Sequence, residues 1–219
     1  MDLRGGGKRG RAGCRAVAAA LVLGALLAPP AQAAPNGTWL SQPQIWYYAT
    51  HQSLSGIMAR IRASQYRVVF LDVRKVSDPM QREAAEAARE QGLFPVVWVQ
   101  SPQYRALRIH DLVREARHGD GLQIDDHFFA HYSLEEFQLL RRLYPKPIFC
   151  SIQPFQASLV PPGGCNQLDV QCYTPQKFQQ CLQVADRLGA VVSLSSENTL
   201  GHRSRLAGRP FNTFLWPER

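Results

Sequence analysis

Two rhythms of apolar residues alternate along the chain. One is a compact run bounded by turn residues, the mark of a strand buried on both faces. The other spaces apolar residues three and four apart, the mark of a helix with one buried side. The aromatic-rich stretch 45–50 (IWYYAT) reads as the first strand, after a polar lead-in over 36–42. Leu54, Ile57, Met58 and Ile61 predict a helix over 53–64, and 66–74 is a second strand whose buried run is VVFL. Asp78-Pro79 opens a helix, as N-cap and first-turn proline, and Gly92 closes it. A third strand covers 94–100, and a helix opened by Ser101-Pro102 runs to Gly119.

The fourth strand leads into Asp125-Asp126-His127. Ser133 and Glu136 then form a capping box for a helix reaching about Leu143. Strands follow at 147–153, 167–173, 190–197 and 211–217. Between them lie a weak helix broken by the Pro161-Pro162-Gly163-Gly164 run, a clear one from Thr174-Pro175 to Gly189, and a short one over 198–208. Eight strands alternating with six or seven helical segments predict a closed (β/α)8 TIM barrel. An open doubly wound sheet is the alternative, should the first or eighth strand be false.

Residues 1–33 stand apart from this pattern. A basic start (Arg4, Lys8, Arg9, Arg11, Arg15), an apolar run over 16–28 and Ala31-Gln32-Ala33 predict a cleavable signal peptide cut after Ala33. The run is shorter than the roughly 20 residues a membrane helix needs. Its removal leaves 186 residues in a single domain, 34–219, and lowers the net charge from +8 to +4. The remaining arginines are scattered over predicted helices and form no basic stripe with interleaved aromatics, which argues against nucleic acid as a partner. We expect a secreted or periplasmic monomer with no stable membrane insertion. Four cysteines remain, Cys150, Cys165, Cys172 and Cys181, an even set that predicts two disulfides in any of three pairings. They lack the C-x-x-C step of a zinc site.

Catalysis in such a barrel belongs at the carboxyl ends of the strands. The last inward or rim positions are His51, Asp72, Arg74, Gln100, Gln123, Asp125, His127, Gln153, Gln171, Tyr173, Glu197 and Trp216. Gln123, Asp125 and His127 share one strand face and make costly core residues unless the strand opens into a solvated pocket. The plain reading of the Asp125-Asp126 pair is a cap on the following turn. Amides, carboxylates and aromatic rings around one rim suit a sugar. Asp125, as nucleophile or base, and Glu197, as general acid, are placed to face each other across a bond, with Asp126 in support.

The segment Gly121-Leu122-Gln123-Ile124-Asp125-Asp126-His127-Phe128 resembles the G-[IL]-x-[FIL]-D-D-[HY]-F signature of the family-10-like glycosyl hydrolases. Gln171-Cys172-Tyr173 and Trp216 are similar, more loosely, to the sixth- and eighth-strand residues of chitinase-like barrels, although His127 stands where their catalytic glutamate belongs. The resemblance implies a glycosidase acting on extracellular polysaccharide, without cofactor or metal. A glycan-binding barrel without activity is a second reading. A deacetylase holding a metal through Asp125, Asp126, His127 and His131 is a third. A phosphatidylinositol-phospholipase-like phosphodiesterase is a fourth, resting on 50–53 and 71–74.

Overall fold

The computed structural model describes residues 36–99, 107–195, 206, 209–214 and 216. Its strands are β1 (Gly37–Leu40), β2 (Val68–Asp72), β3 (Phe94–Trp98), β4 (Gly121–Ile124), β5 (Ile148–Ile152), β6 (Gln167–Gln171), β7 (Val191–Ser195) and β8 (Phe211–Phe214). All pair in parallel with their chain neighbours, and β8 returns to β1 at Thr38↔Thr213 to close the barrel. The compact (β/α)8 barrel is therefore the fold, and the open sheet is excluded by that seam.

Strand alternation divides the side chains cleanly. The outward set includes Val69, Leu71, Val97, Leu122, Ile124, Ile148, Val192 and Leu194, which are buried under the helices. Each Leu or Ile so buried contributes about 1.5–3 kcal/mol. Helix α2 (Leu54–Ala63) buries Leu54, Ile57, Met58 and Ile61, and α7 (Phe178–Leu188) buries Phe178, Cys181, Leu182 and Ala185, the expected one-sided spacing in both. Helix α3 (Asp78–Glu90) packs through Ala84, Ala85, Ala87 and Ala88, whose small side chains let it lie close to the sheet. Its N-cap is Ser77, one residue earlier than expected, and the cap's side chain makes no hydrogen bond. Helices α4 (Ile109–Glu115) and α6 (Leu134–Leu143) complete this flank, the latter with the expected Ser133–Glu136 capping box.

The first strand is the main correction. Residues 45–50 lie in helix α1 (Gln42–His51), and the strand is the segment 37–40 that read as a polar lead-in. Two local forces decide it. Ser41 and Gln44 form a capping box with Pro43 in the first turn, so the chain is set to coil from residue 42. Ile45 and Tyr48, three apart, are buried, while Trp46 and Tyr47 between them are exposed, a division no strand could make. Residues 100–106 and 196–205, with the expected end of the third strand and most of the short helix over 198–208, lie outside the described residues.

Two disulfides form, Cys150–Cys165 and Cys172–Cys181, which selects one of the three pairings. Among the described residues no helix is long and apolar enough to cross a membrane.

Candidate functional site

The inward residues split the barrel interior into two halves. Strands β1–β3 and β8 contribute Trp39, Phe70, Val96, Trp98 and Phe214, joined by Phe149 from β5. Strands β4–β7 contribute Gln123, Ser151, Asp169, Gln171 and Ser193. Rings on one side and hydrogen-bonding groups on the other meet at the carboxyl end. There they line a small, half-open pocket of about 70 Å³ bounded by Trp39, Trp98, Gln123, Asp125, Asp126, Ser151, Gln171, Tyr173 and Phe214.

Asp125 sits where β4 hands over to α5 (Asp126–His131) and is only 5 % exposed. Its Oδ1 accepts the His127 backbone N–H at 3.0 Å, so it is the N-cap of α5. Its Oδ2 accepts the Trp98 indole N–H at 3.1 Å. The plain reading of the pair as a helix cap holds for Asp125, and the same side chain also faces the pocket. Burial pushes its carboxyl above the usual range, and the Trp98 hydrogen bond pulls against that. The adjacent Asp126 charge adds to the rise, while His127 opposes it.

Because the chain coils at Asp126, strand alternation stops there. Asp126 turns into the pocket and accepts from Gln171 Nε2 at 3.2 Å. His127 leaves the Gln123–Asp125 face on which it was expected and lines no part of the pocket. Helix α5 does place His127 and His131 one turn apart. Among the described residues, however, no three His, Cys, Asp or Glu side chains converge as a metal centre requires.

Gln123 is oriented by its neighbour: its Oε1 accepts the Trp39 indole N–H at 2.6 Å. That leaves Nε2 as the donor end, with no hydrogen-bond acceptor among the described residues. Below it runs a chain of polar contacts. Gln153 donates to Gln171 Oε1 at 2.6 Å, and Gln171 donates to Ser151 Oγ at 3.0 Å. Ser151 and Ser193 both donate to Asp169 Oδ2, at 2.7 and 2.6 Å. Asp169 is 1 % exposed and its Oδ1 has no hydrogen-bond partner among the described residues. Burial pushes its carboxyl up to about 7, against the pull of the Ser193 and Ser151 hydroxyls. Tyr173 is likewise driven well above its ordinary value by burial, so its phenol stays protonated.

The expected rim is thus only partly assembled. Gln123, Asp125, Asp126, Gln171 and Tyr173 converge, and Gln153 supports them from behind. Asp72 is buried at the end of β2 and held by Arg74 through two hydrogen bonds of 2.8 and 2.6 Å, while the Arg74 guanidinium lies 5.5 Å from the Trp98 ring centre. Asp72 and Arg74 form the local ion pair and line no part of the pocket. His51 is no strand end: it closes α1, exposed, with Tyr47 stacked on it and Thr50 as its hydrogen-bond partner. Trp216 donates its backbone N–H to Trp39 O and packs edge-on to Tyr66, outside the barrel interior, and Phe214 fills the pocket position instead. Gln100 and Glu197 lie outside the described residues. Trp39, Trp98, Phe214, Ser151, Asp169 and Ser193 were missed. Of the last three, only Ser151 stands as a lone polar residue in its strand, IFCSI; Asp169 in QLDVQ and Ser193 in VVSLS share their strands with other polar residues and carry no such signal.

No protein-family profile matches the chain, and no curated protein matches it. Solved structures do. A truncated 3-deoxy-D-arabino-heptulosonate 7-phosphate synthase from Thermotoga maritima has a TM-score of 0.55 at 13 % identity, covering 82 % of this chain and 73 % of its own. Citrate synthase SbnG has a TM-score of 0.52 at 14 % identity, covering 85 % and 87 %. The 3-dehydroquinate dehydratase from Aquifex aeolicus VF5 has a TM-score of 0.52 at 15 % identity, covering 83 % and 88 %. At these identities the likeness is one of fold.

These barrels overturn the resemblance to family-10-like and chitinase-like glycosyl hydrolases, and the glycosidase, carbohydrate and hydrolase readings fall with it. The motif that suggested it has a structural account. A Cβ on Gly121 would meet the Phe149 ring at 2.9 Å, the apolar residues bury under helices, and Asp125 caps α5. The glycan-binding barrel loses the same support. The deacetylase lacks its metal cluster among the described residues, and the phosphodiesterase loses His51 as a strand-end residue.

Proposed function

We propose that this barrel is a small-molecule acid–base enzyme of the lyase type, with Asp125 moving a proton at a carbon next to a carbonyl or hydroxyl group. The observation that carries the reading is the setting of Asp125. It is a nearly buried carboxyl, fixed by two donors and facing the pocket, with its affinity for protons raised by burial as suits a general base or acid. As base it takes the proton from carbon, and the C–H electron pair moves onto the adjacent carbonyl oxygen. The Gln123 Nε2 donor, the next inward group on β4, supports the charge growing on that oxygen. As acid, Asp125 returns the proton to carbon or to a departing hydroxyl. A synthase and a dehydratase stand among the like-folded barrels, in agreement with this class of chemistry, while the support comes from the site itself. Residues 1–33 we read as a leader removed before the barrel folds in an oxidising compartment, a reading the two disulfides support.

The test is exchange of carbon-bound hydrogen in heavy water, followed by nuclear magnetic resonance over a panel of small oxo, hydroxy and amino compounds. The parent should exchange at least one of them, and Asp125→Asn should slow that exchange by about 10²–10⁴-fold. Asparagine caps helices as well as aspartate does, so the variant keeps its fold. Equal exchange by parent and variant would remove Asp125 from the chemistry.

A further inference from the structure

The pocket's own charge narrows what can enter it. Two carboxyl side chains, Asp125 and Asp126, line it, and Asp169 lies one inward layer below Gln171 on β6. Among the described residues, the positive groups that act on Asp125 do not restore the balance: Arg74 is already held by two hydrogen bonds to Asp72, and neither it nor His127 lines the pocket. An anionic substrate would meet the like charge of the carboxyl lining. The opposite wall is aromatic on several sides. Phe214 stands at 61° to Trp39 with ring centres 5.7 Å apart, at 77° to Trp98 at 5.9 Å, and 5.3 Å from Tyr173. Rings turned through such angles present faces as well as edges to the space between them, and an aromatic face attracts a cation. A neutral ligand would use the rings but leave the Asp126 carboxylate without a counter-charge.

We infer that the ligand is a small organic cation, an ammonium or quaternary ammonium compound that also carries an oxygen function. The cationic head lies between the Asp126 carboxylate and the rings of Trp98, Tyr173 and Phe214. The oxygen accepts from Gln123 Nε2, whose other end is pinned by Trp39. The inference rests on the pocket being a ligand site, as proposed above, but not on any proton being transferred there.

Isothermal titration calorimetry on the full purified chain tests it, with choline, ethanolammonium and tetramethylammonium as cations. The comparison probes are 3,3-dimethylbutan-1-ol, the uncharged isostere of choline, and pyruvate as a small anion. At least one cation should bind, and choline should bind about tenfold or more tighter than its isostere. Asp126→Asn should weaken choline by about tenfold while leaving the alcohol unchanged. Phe214→Leu, which keeps apolar bulk but removes the ring, should weaken choline more than the alcohol. Far-UV circular dichroism confirms that each variant is folded. Equal affinity for choline and the alcohol, tighter binding of pyruvate, or no binding of any cation by folded parent overturns the inference. Asp125→Asn separates the two readings. Cation binding without any hydrogen exchange would sink the proposed chemistry alone, and exchange of anionic compounds only would sink the cation alone.

Discussion

Asp169 shows how one buried side chain makes the whole barrel sensitive to pH. Its carboxyl is pushed from an ordinary 3.8 to about 7 because removing it from water penalises the charged form more than two serine hydroxyls can offset. Between those values the folded protein holds a proton that the unfolded chain has lost. Stability from this group is therefore complete below about pH 4, declines as pH rises towards about 7, and is level above that. At about 1.4 kcal/mol per unit, the decline amounts to roughly 4 kcal/mol at most. Asp169→Asn keeps the shape without the charge, so its stability relative to the parent should rise across that window. Urea midpoints of both proteins at pH 4.5 and 7.5 measure it, and parallel pH slopes would contradict the burial argument. The same residue was invisible as a site candidate because one Asp inside QLDVQ does not declare which strand neighbours it will face.

Short elements are held by local chemistry that the sequence carries openly. The Ser133–Glu136 box, the αL Gly189 that ends α7 and the Ser53 cap of α2 could all be placed from residue type and spacing. The same grammar at Ser41, Pro43 and Gln44 starts α1 and overrides the aromatic content of 45–50, which predicts a strand there. β propensity records packing more than backbone preference, so the local cap decides. The two disulfides act at this scale. One ties β5 to the segment before β6, and the other ties the end of β6 to α7, over sequence separations of 15 and 9. Each loop is expected to contribute about 2–4 kcal/mol. Replacing Cys172 and Cys181 together by serine should lower the urea midpoint accordingly, with loss of protection from hydrogen exchange concentrated in α7. A variant as stable as the parent would show the bridge to be dispensable.

At the scale of the whole molecule the barrel depends on one seam. Strands β1 and β8 meet at Thr38↔Thr213, and side chains reinforce the join. Asn212 Oδ1 accepts the Gly37 backbone N–H at 2.8 Å, Thr38 Oγ1 donates to Thr213 O at 2.9 Å, and Tyr66 OH donates to Thr213 Oγ1 at 2.7 Å. Gly37 also has to be glycine here, since a Cβ would meet the Phe70 ring at 2.6 Å. Asn212→Ala leaves a buried backbone donor without its partner, which costs about 1–3 kcal/mol. Thermal melts should show that loss. Amide exchange should quicken first at 37–40 and 211–214, and an unchanged exchange pattern would place the weak point of the barrel elsewhere.

Most of the architecture was determined by sequence alone because it follows from short-range rules. Runs such as VVFLD and FPVVW, alternating with one-sided helices, can satisfy their backbone and bury both faces only as parallel strands under helices. The evenness of the cysteine set and the cap at Asp125 were local facts of the same kind. Closure, the disulfide pairing and the composition of the pocket were decided by the tertiary structure. Register brings Ser151, Asp169 and Ser193 into contact across β5, β6 and β7, although they stand 18 and 24 residues apart. The turn of the chain at Asp126 exchanges His127 for Asp126 in the pocket, and β8 supplies Phe214 rather than Trp216. Whether an inward side chain meets a ring, a hydroxyl or a charge depends on the stagger of strands far apart in the chain, and no window of sequence contains that information.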